Sequence, residues 1–249
     1  MTPKILFTFT FGLFIWVTSF SQTKELQKID NDLTTTFKKL INADYDTRFD
    51  SLAPLFKKQL LRQLTNPITF NNPFDSLSKY LIIKSSTDKK IKFYGWDDLN
   101  GGTWHNMTSI AQFISDKGKI VVQQLNSGNE TGTGEFTDSE IYEVNEITID
   151  NSVHYLTFGW GTHGSGNQHN IIQIFKIVGD TLVKCKSCFA NNNDLAIEYP
   201  RSEKLNLTYN TKTNEISYNE FKYVDEMGYY KRTDKITTLK LINATFTTK

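Results

Sequence analysis

The spacing of turn signals after Tyr80 constrains this chain more than any other feature. Short runs of β-branched and aromatic residues are interrupted by SDKGK, DNS, VGD and NTKTNE, each only a few residues long. A parallel neighbour needs a crossover of about a dozen residues or more, so connections this short demand antiparallel hairpins. Strands are expected near 80–84, 90–96, 107–114, 118–125, 140–148, 152–159, 170–178 and 181–185. Further strands are expected near 204–209, 214–218, 221–224 and 235–246. Scarce Ala beside abundant Thr, Asn, Ile and Tyr leans the same way.

The N-terminal part has a different period. Leu26, Ile29, Leu33, Phe37 and Leu40 step by three and four, which predicts an amphipathic helix over 23–44. Phe49, Leu52, Phe56, Leu60 and Leu64 repeat the spacing, with Asp50 and Ser51 as caps and Pro54 in the first turn. The two helices are expected to pack as a hairpin or to lie together against another element, and PITFNNPF reads as a turn-rich link. The expected class is α+β and mostly β: a helical segment over 22–66, then an antiparallel β domain over 67–249, built as a sandwich or barrel.

Ahead of the helices, MTPKILFTFTFGLFIWVTSFS carries one Lys, an apolar run from Ile5 to Trp16 and then small polar residues. That order reads as a signal peptide over 1–21, cleaved between Ser21 and Gln22. Thr8, Thr10 and Thr18 interrupt the run, and a membrane anchor would need roughly twenty apolar residues. Export to the periplasm, outer surface or medium follows, with no membrane span after cleavage. Losing Lys4 leaves 27 basic against 27 acidic side chains. A formally neutral chain gives no electrostatic reason to expect nucleic acid as a partner.

Self-similarity appears at an offset of 64. YGWDDLNGGTWHN at 94–106 aligns without gaps on FGWGTHGSGNQHN at 158–170, matching Gly95 with Gly159, Trp96 with Trp160, His105 with His169 and Asn106 with Asn170. The two read as copies of one duplicated unit: strand, Gly-Trp, glycine-rich loop, His-Asn, strand. The 64-residue step exceeds a propeller blade of about 40 to 45 residues. In one reading the shared residues build the loops, with Gly leaving room beside the ring. In the other, Trp96, Trp104, His105, Trp160, His163 and His169 converge on a cleft beside Asp97 and Asp98, suited to stacking on a sugar and bonding its hydroxyls.

Other chemistry is weighed residue by residue. Cys185 and Cys188 form Cys-x-x-Cys; an exported chain makes a disulfide the plainer outcome, against zinc binding with His163 and His169 or free thiols. Asp97, Asp98 and Asn100 begin like a calcium loop, but the pattern fails after Asn100. Hydrolysis would draw on Asp97, Asp98, Glu135, Asp138 and Glu140, with Ser165 near His163 and His169. GTHGSGNQ, however, is not a G-x-S-x-G elbow. No metal or cofactor is expected.

IKFYGWDDLNGGTWHN and HYLTFGWGTHGSGNQHNIIQIFKIVGDTL resemble segments of uncharacterised exported proteins of Bacteroidota-type bacteria, in which a Trp-Asp and Gly-Gly-Thr segment precedes a strand. The likeness covers roughly 50–185, and the Ser-Phe-Ser-Gln ending of the leader is similar. It implies export and a single fold and brings no catalytic role. The expected function is non-catalytic binding, or an envelope-associated role, with a small molecule, glycan or envelope protein as partner. The alternatives are a secreted hydrolase whose cleft is the Trp/His loops, and a structural or assembly protein.

Overall fold

The computed structural model describes residues 5–101, 105–125, 138–163, 166–190, 193–226 and 228–249, with side chains from Gln22 onward except that of His163. The chain is mostly β, with helices at its N-terminus followed by three antiparallel sheets and no closed barrel. It divides into two compact units, Met1–Tyr80 and Leu81–Lys249.

In the first unit α1 runs from Ile5 to Asn42, followed by α2 (Tyr45–Thr47), a π-helical stretch (Arg48–Leu52) and α3 (Ala53–Leu64). The stripe is buried as expected at Ile29, Leu33, Phe37 and Leu40 on α1 and at Phe56, Leu60 and Leu64 on α3. The rings of Phe37 and Phe56 meet edge to face at 4.8 Å. The cap differs from expectation: Asp44, not Asp50 or Ser51, accepts the Thr47 N–H at 2.9 Å. Arg48 then donates to the carbonyls of Leu40 and Ile41, closing the end of α1. The π-helical stretch also shifts the helical phase, so Phe49 is exposed and lies against Tyr45. Residues 67–80 belong with the helices and not with the strands. Asp30 of α1 accepts from Ser76 N and Leu77 N at 2.8 and 2.9 Å and ties the segment back.

The second unit is three meanders in succession. Sheet 1 is β1 (Ile82–Ser85), β2 (Ile91–Asp97), β3 (Met107–Ile114) and β4 (Ile120–Gln124). Sheet 2 is β5 (Glu140–Ile149), β6 (Ser152–His163), β7 (Asn167–Val178) and β8 (Thr181–Lys184). On the same edge of β7 as β8 lies β9 (Asp194–Pro200), a strand the sequence pattern does not announce. Sheet 3 is β10 (Thr208–Asn210), β11 (Glu215–Val224), β12 (Tyr229–Ile242) and β13 (Thr245–Thr248).

Alternation gives sheet 2 two buried faces. Ile141, Tyr155, Phe175 and Leu182 pack with Ile91, Phe93, Ala111 and Phe113 of sheet 1. Leu156, Phe158, Ile172 and Ile174 pack with Ile216, Leu239 and Phe246 of sheet 3. Two polar links tie sheets 1 and 2 away from the core. The Gln123 side-chain amide exchanges two bonds with the backbone of Leu182, as a strand neighbour would. Asp116 and Gly179 likewise bond each other reciprocally. Among the described residues no helix is long and apolar enough to cross a membrane.

Candidate functional site

Strand alternation on β2 sends Phe93, Gly95 and Asp97 to one side and Lys92, Tyr94 and Trp96 to the other. At Gly95 sheets 1 and 2 approach closely. A Cβ there would stand 2.9 Å from Glu140 Cβ and 3.1 Å from Ile141 N, so a larger residue would push the start of β5 away. Opposite Gly95 on β3 is Ser109. Its hydroxyl donates to Ser139 O at 2.7 Å and accepts from Ile141 N at 3.1 Å, clasping the same stretch of β5.

Two residues beyond Gly95, Asp97 faces the same junction. Its Oδ1 accepts from Leu99 N at 2.8 Å, an Asx turn that holds Leu99 at φ 58°. Its Oδ2 lies 2.5 Å from Nδ1 of His105, and the His105 backbone N–H donates to Thr162 Oγ1 of β6 at 3.2 Å. Two further bonds, Asp98 N to Asn106 O and Asn106 Nδ2 to Asn100 Oδ1, hold the two ends of the hairpin connection together. Glu140, partly buried, meets this pair from β5. Burial pushes its carboxyl up to about 7, the Asp97 charge adds to the rise, and His105 offsets part of it.

Asp97, His105 and Glu140 thus come together from β2, the connection after it and β5, with Thr162 supplied by β6. The other candidates are used differently. Trp96 is buried at 1 % exposure, its Nε1–H donating to Asp98 Oδ1 at 2.6 Å, while Thr108 donates to the second oxygen of Asp98. A ring so enclosed offers no face to a sugar, which corrects the stacking role for Trp96. Adjacent Asp97 and Asp98 point to opposite faces of the strand and cannot converge on one calcium ion. Among the described residues no group of three His, Cys, Asp or Glu is placed to hold a metal.

In the later segment Trp160 is half-buried and donates to Gln168 Oε1 at 3.2 Å. His169 is buried within β7, and its Nε2–H donates to the Asp138 carbonyl at 3.0 Å over Gly161. The two aligned segments are folded differently past the Trp. Gly95 pairs with Ser109, but Gly159 pairs with Ile171, a register two residues tighter. The first ladder ends at the Asp97–Met107 pair, whereas the second continues to His163 and Asn167. His105 and His169, equivalent in sequence, therefore sit outside a ladder and inside one. Trp104, Glu135, Ser165 and the side chain of His163 lie outside the described residues.

Cys185 and Cys188 form a disulfide, S–S 1.99 Å, which takes both sulfurs away from zinc. Cavities of about 790 and 540 Å³ are lined by residues 22–31 with 67–76, and by the ends of β3, β6 and β7. Neither is lined by Asp97, His105 or Glu140. Sequence reading missed Ser109 and Thr162, because only the cross-sheet approach gives a lone hydroxyl its role. No family of known proteins, no curated protein and no solved structure matches the chain.

Proposed function

We propose that this chain is an exported protein that holds a ligand without transforming it, at the junction where Asp97, His105 and Glu140 meet. One observation carries the reading: Asp97 has both carboxylate oxygens engaged, by Leu99 N–H and by His105. Paired-carboxylate hydrolysis needs two carboxyl groups flanking a bond, one to give a proton and the other with an oxygen free to act as base or nucleophile. Here Asp97 fixes the chain after β2 and Glu140 stands partly buried beside it, so the cluster holds its groups in a set geometry. The Cys185–Cys188 bond supports export, since disulfides persist in oxidising compartments. The likeness of 50–185 to exported Bacteroidota-type proteins points the same way. Duplication of the Gly-Trp unit remains our reading of the 64-residue offset.

A carbohydrate is the ligand to test first, because a carboxylate accepts from a hydroxyl and an imidazole can donate to or accept from one. The experiment is a glycan array with the mature chain, beside His105→Ala and Glu140→Gln variants, and a parallel panel of chromogenic glycosides and esters. Retention on the array that is lost in His105→Ala, without turnover of any chromogenic substrate, is the expected result. A second reading, the secreted hydrolase, draws on Glu140 near 7, a value suited to general acid or base work at neutral pH. Turnover by the wild type that disappears in Glu140→Gln would replace the binding reading with that one. Export itself is checked by N-terminal sequencing of protein from the envelope or medium, which should begin at Gln22; an intact leader on cytoplasmic protein refutes it.

A further inference from the structure

The junction of Asp97, His105 and Glu140 has the parts of a switch, and its use as one rests on the reading of these three residues as the ligand-facing cluster. The start of β5 is clamped onto sheet 1 by contact at Gly95 and by the Ser109 hydroxyl, which bridges Ser139 O and Ile141 N. Directly after this clamp the β5–β6 ladder skips a residue. Ile141 pairs with Gly159 and Glu143 with Phe158, leaving Tyr142 bulged between them. A bulge breaks the ladder locally and lets the strand bend there. Residues 138–141, still paired to Gly159 and Trp160 and tied to His169 through the Asp138 carbonyl, can therefore pivot with that end of β6 against sheet 1 without shifting the rest of β5, whose pairing runs on regularly from Glu143 to Ile149.

We infer that this junction is a proton-operated latch between sheets 1 and 2, closed while Glu140 carries its proton and eased about the Tyr142 bulge when Glu140 is ionised. The charge balance gives the direction. Among the described residues, the ionisable groups facing Glu140 are Asp97 from β2 and His105 from the connection after it. β3 contributes the uncharged Ser109, and β6 contributes Trp160, the pairing partner of Glu140, and Thr162. From β7, His169 is turned onto the Asp138 carbonyl. Ionised Glu140 would set a second carboxylate beside Asp97, with one imidazole between them already in contact with Asp97. Glu140 is only partly exposed, so the repulsion from Asp97 is poorly screened, and it is relieved when the chain at 138–141 moves away from Gly95. Because Asp97 anchors His105 and His105 N–H is held by Thr162 of sheet 2, the same movement displaces the imidazole. The ligand-facing geometry would thus change with pH in the neutral range.

The test is amide NMR of the full chain without ligand, from pH 5 to pH 9, following Glu140 and Ile141. In the wild type the Ile141 amide should shift with a midpoint near 7, at the acceptor Ser109 Oγ that the latch releases. Glu140→Gln, which keeps the shape and removes the proton, should hold Ile141 at its low-pH position throughout. Asp97→Asn should move the midpoint to lower pH, since the adjacent like charge is gone. Opening also requires the Ile141 amide, released from Ser109 Oγ, to exchange with solvent faster above the midpoint; a shift without faster exchange is titration in a closed junction and overturns the latch. An Ile141 shift persisting unchanged in Glu140→Gln, or no midpoint between pH 5 and 9, overturns the latch. These measurements use no ligand, so an empty glycan array would sink the binding reading and leave the latch to its own test.

Discussion

Glu140 ties stability to pH in a direction that can be worked out. Its carboxyl rises from 4.5 to about 7 on folding, so the native state holds its proton more tightly than the unfolded chain does. The resulting stabilisation is present in full below pH 4.5, is lost as pH rises through about 7, and stays lost above that. The rise corresponds to roughly 3 kcal/mol between the two ends of the window. Glu140→Gln should therefore match the wild type in urea unfolding at about pH 4 and exceed it by about that much at about pH 8. Gly161 gives a second prediction. A Cβ there would overlap the Asp138 carbonyl and come within 2.7 Å of the His169 ring, so Gly161→Ala should destabilise by about 1–3 kcal/mol or more. Gly166→Ala provides the comparison, since its φ of +76° disfavours a side chain but its Cβ meets nothing within 4 Å. At this scale the sequence showed which residues were unusual without showing how each is used. Trp96, Asp98 and His169 stand out as rare or charged residues beside glycines, and all three are buried, His169 directly over Gly161.

The elements were legible wherever burial imposes a period. Both helical stripes and the strands from β1 to β8 follow their apolar spacing, because one or both faces must be covered. Legibility failed where that pressure is absent. The first half of β12, YYKRTDK, is largely exposed, and β11 reads as two strands because its ladder is irregular between Asn219 and Phe221. β9 is missed because DLAIEYP is short and carries charges, its place being fixed by pairing with β7. The Cys pair was legible because its spacing and the expected export leave few outcomes, and its local role is visible in the fold. Cys188 O accepts from Phe246 N at 2.7 Å, and Ala190 N donates to Phe246 O, so the disulfide-closed turn seats β13. Closing so short a loop is worth about 2 kcal/mol by chain entropy. The Cys185→Ser, Cys188→Ser double variant should lose about that much in urea unfolding, and reductant should then have no further effect on it. In amide hydrogen exchange, Phe246 and Ala190 should lose protection before the β6–β7 ladder does. A loss confined to β6 and β7 would show that the turn supports a different part of the sheet.

At the scale of the whole molecule, the antiparallel class was readable from connection lengths alone, while the stacking of three meanders was not. Nothing in an alternating strand says which of its faces meets which neighbour; on sheet 2 both faces are apolar, and only the fold separates them. Tyr155 and Phe175 belong to the core shared with sheet 1, whereas Leu156 and Ile174, one residue away, belong to the core shared with sheet 3. Sheet 2 is thus the common wall of two cores, and the energetic consequence can be tested with Phe93→Ala in the first core and Ile216→Ala in the second. Both side chains are fully buried. Large-to-small changes of this kind remove about 3–5 kcal/mol for Phe and about 2–5 kcal/mol for Ile. The two sites share no partner across sheet 2, so their effects should add to within about 0.5 kcal/mol in a double-mutant cycle. Additive losses within a single transition, seen alike by tryptophan fluorescence and far-UV circular dichroism, would mean that the wall is rigid and the three sheets unfold together. A coupling well above about 0.5 kcal/mol would mean that sheet 2 deforms to fill either void, and a wall that yields would carry displacement at the Glu140 junction onward into the core of sheet 3.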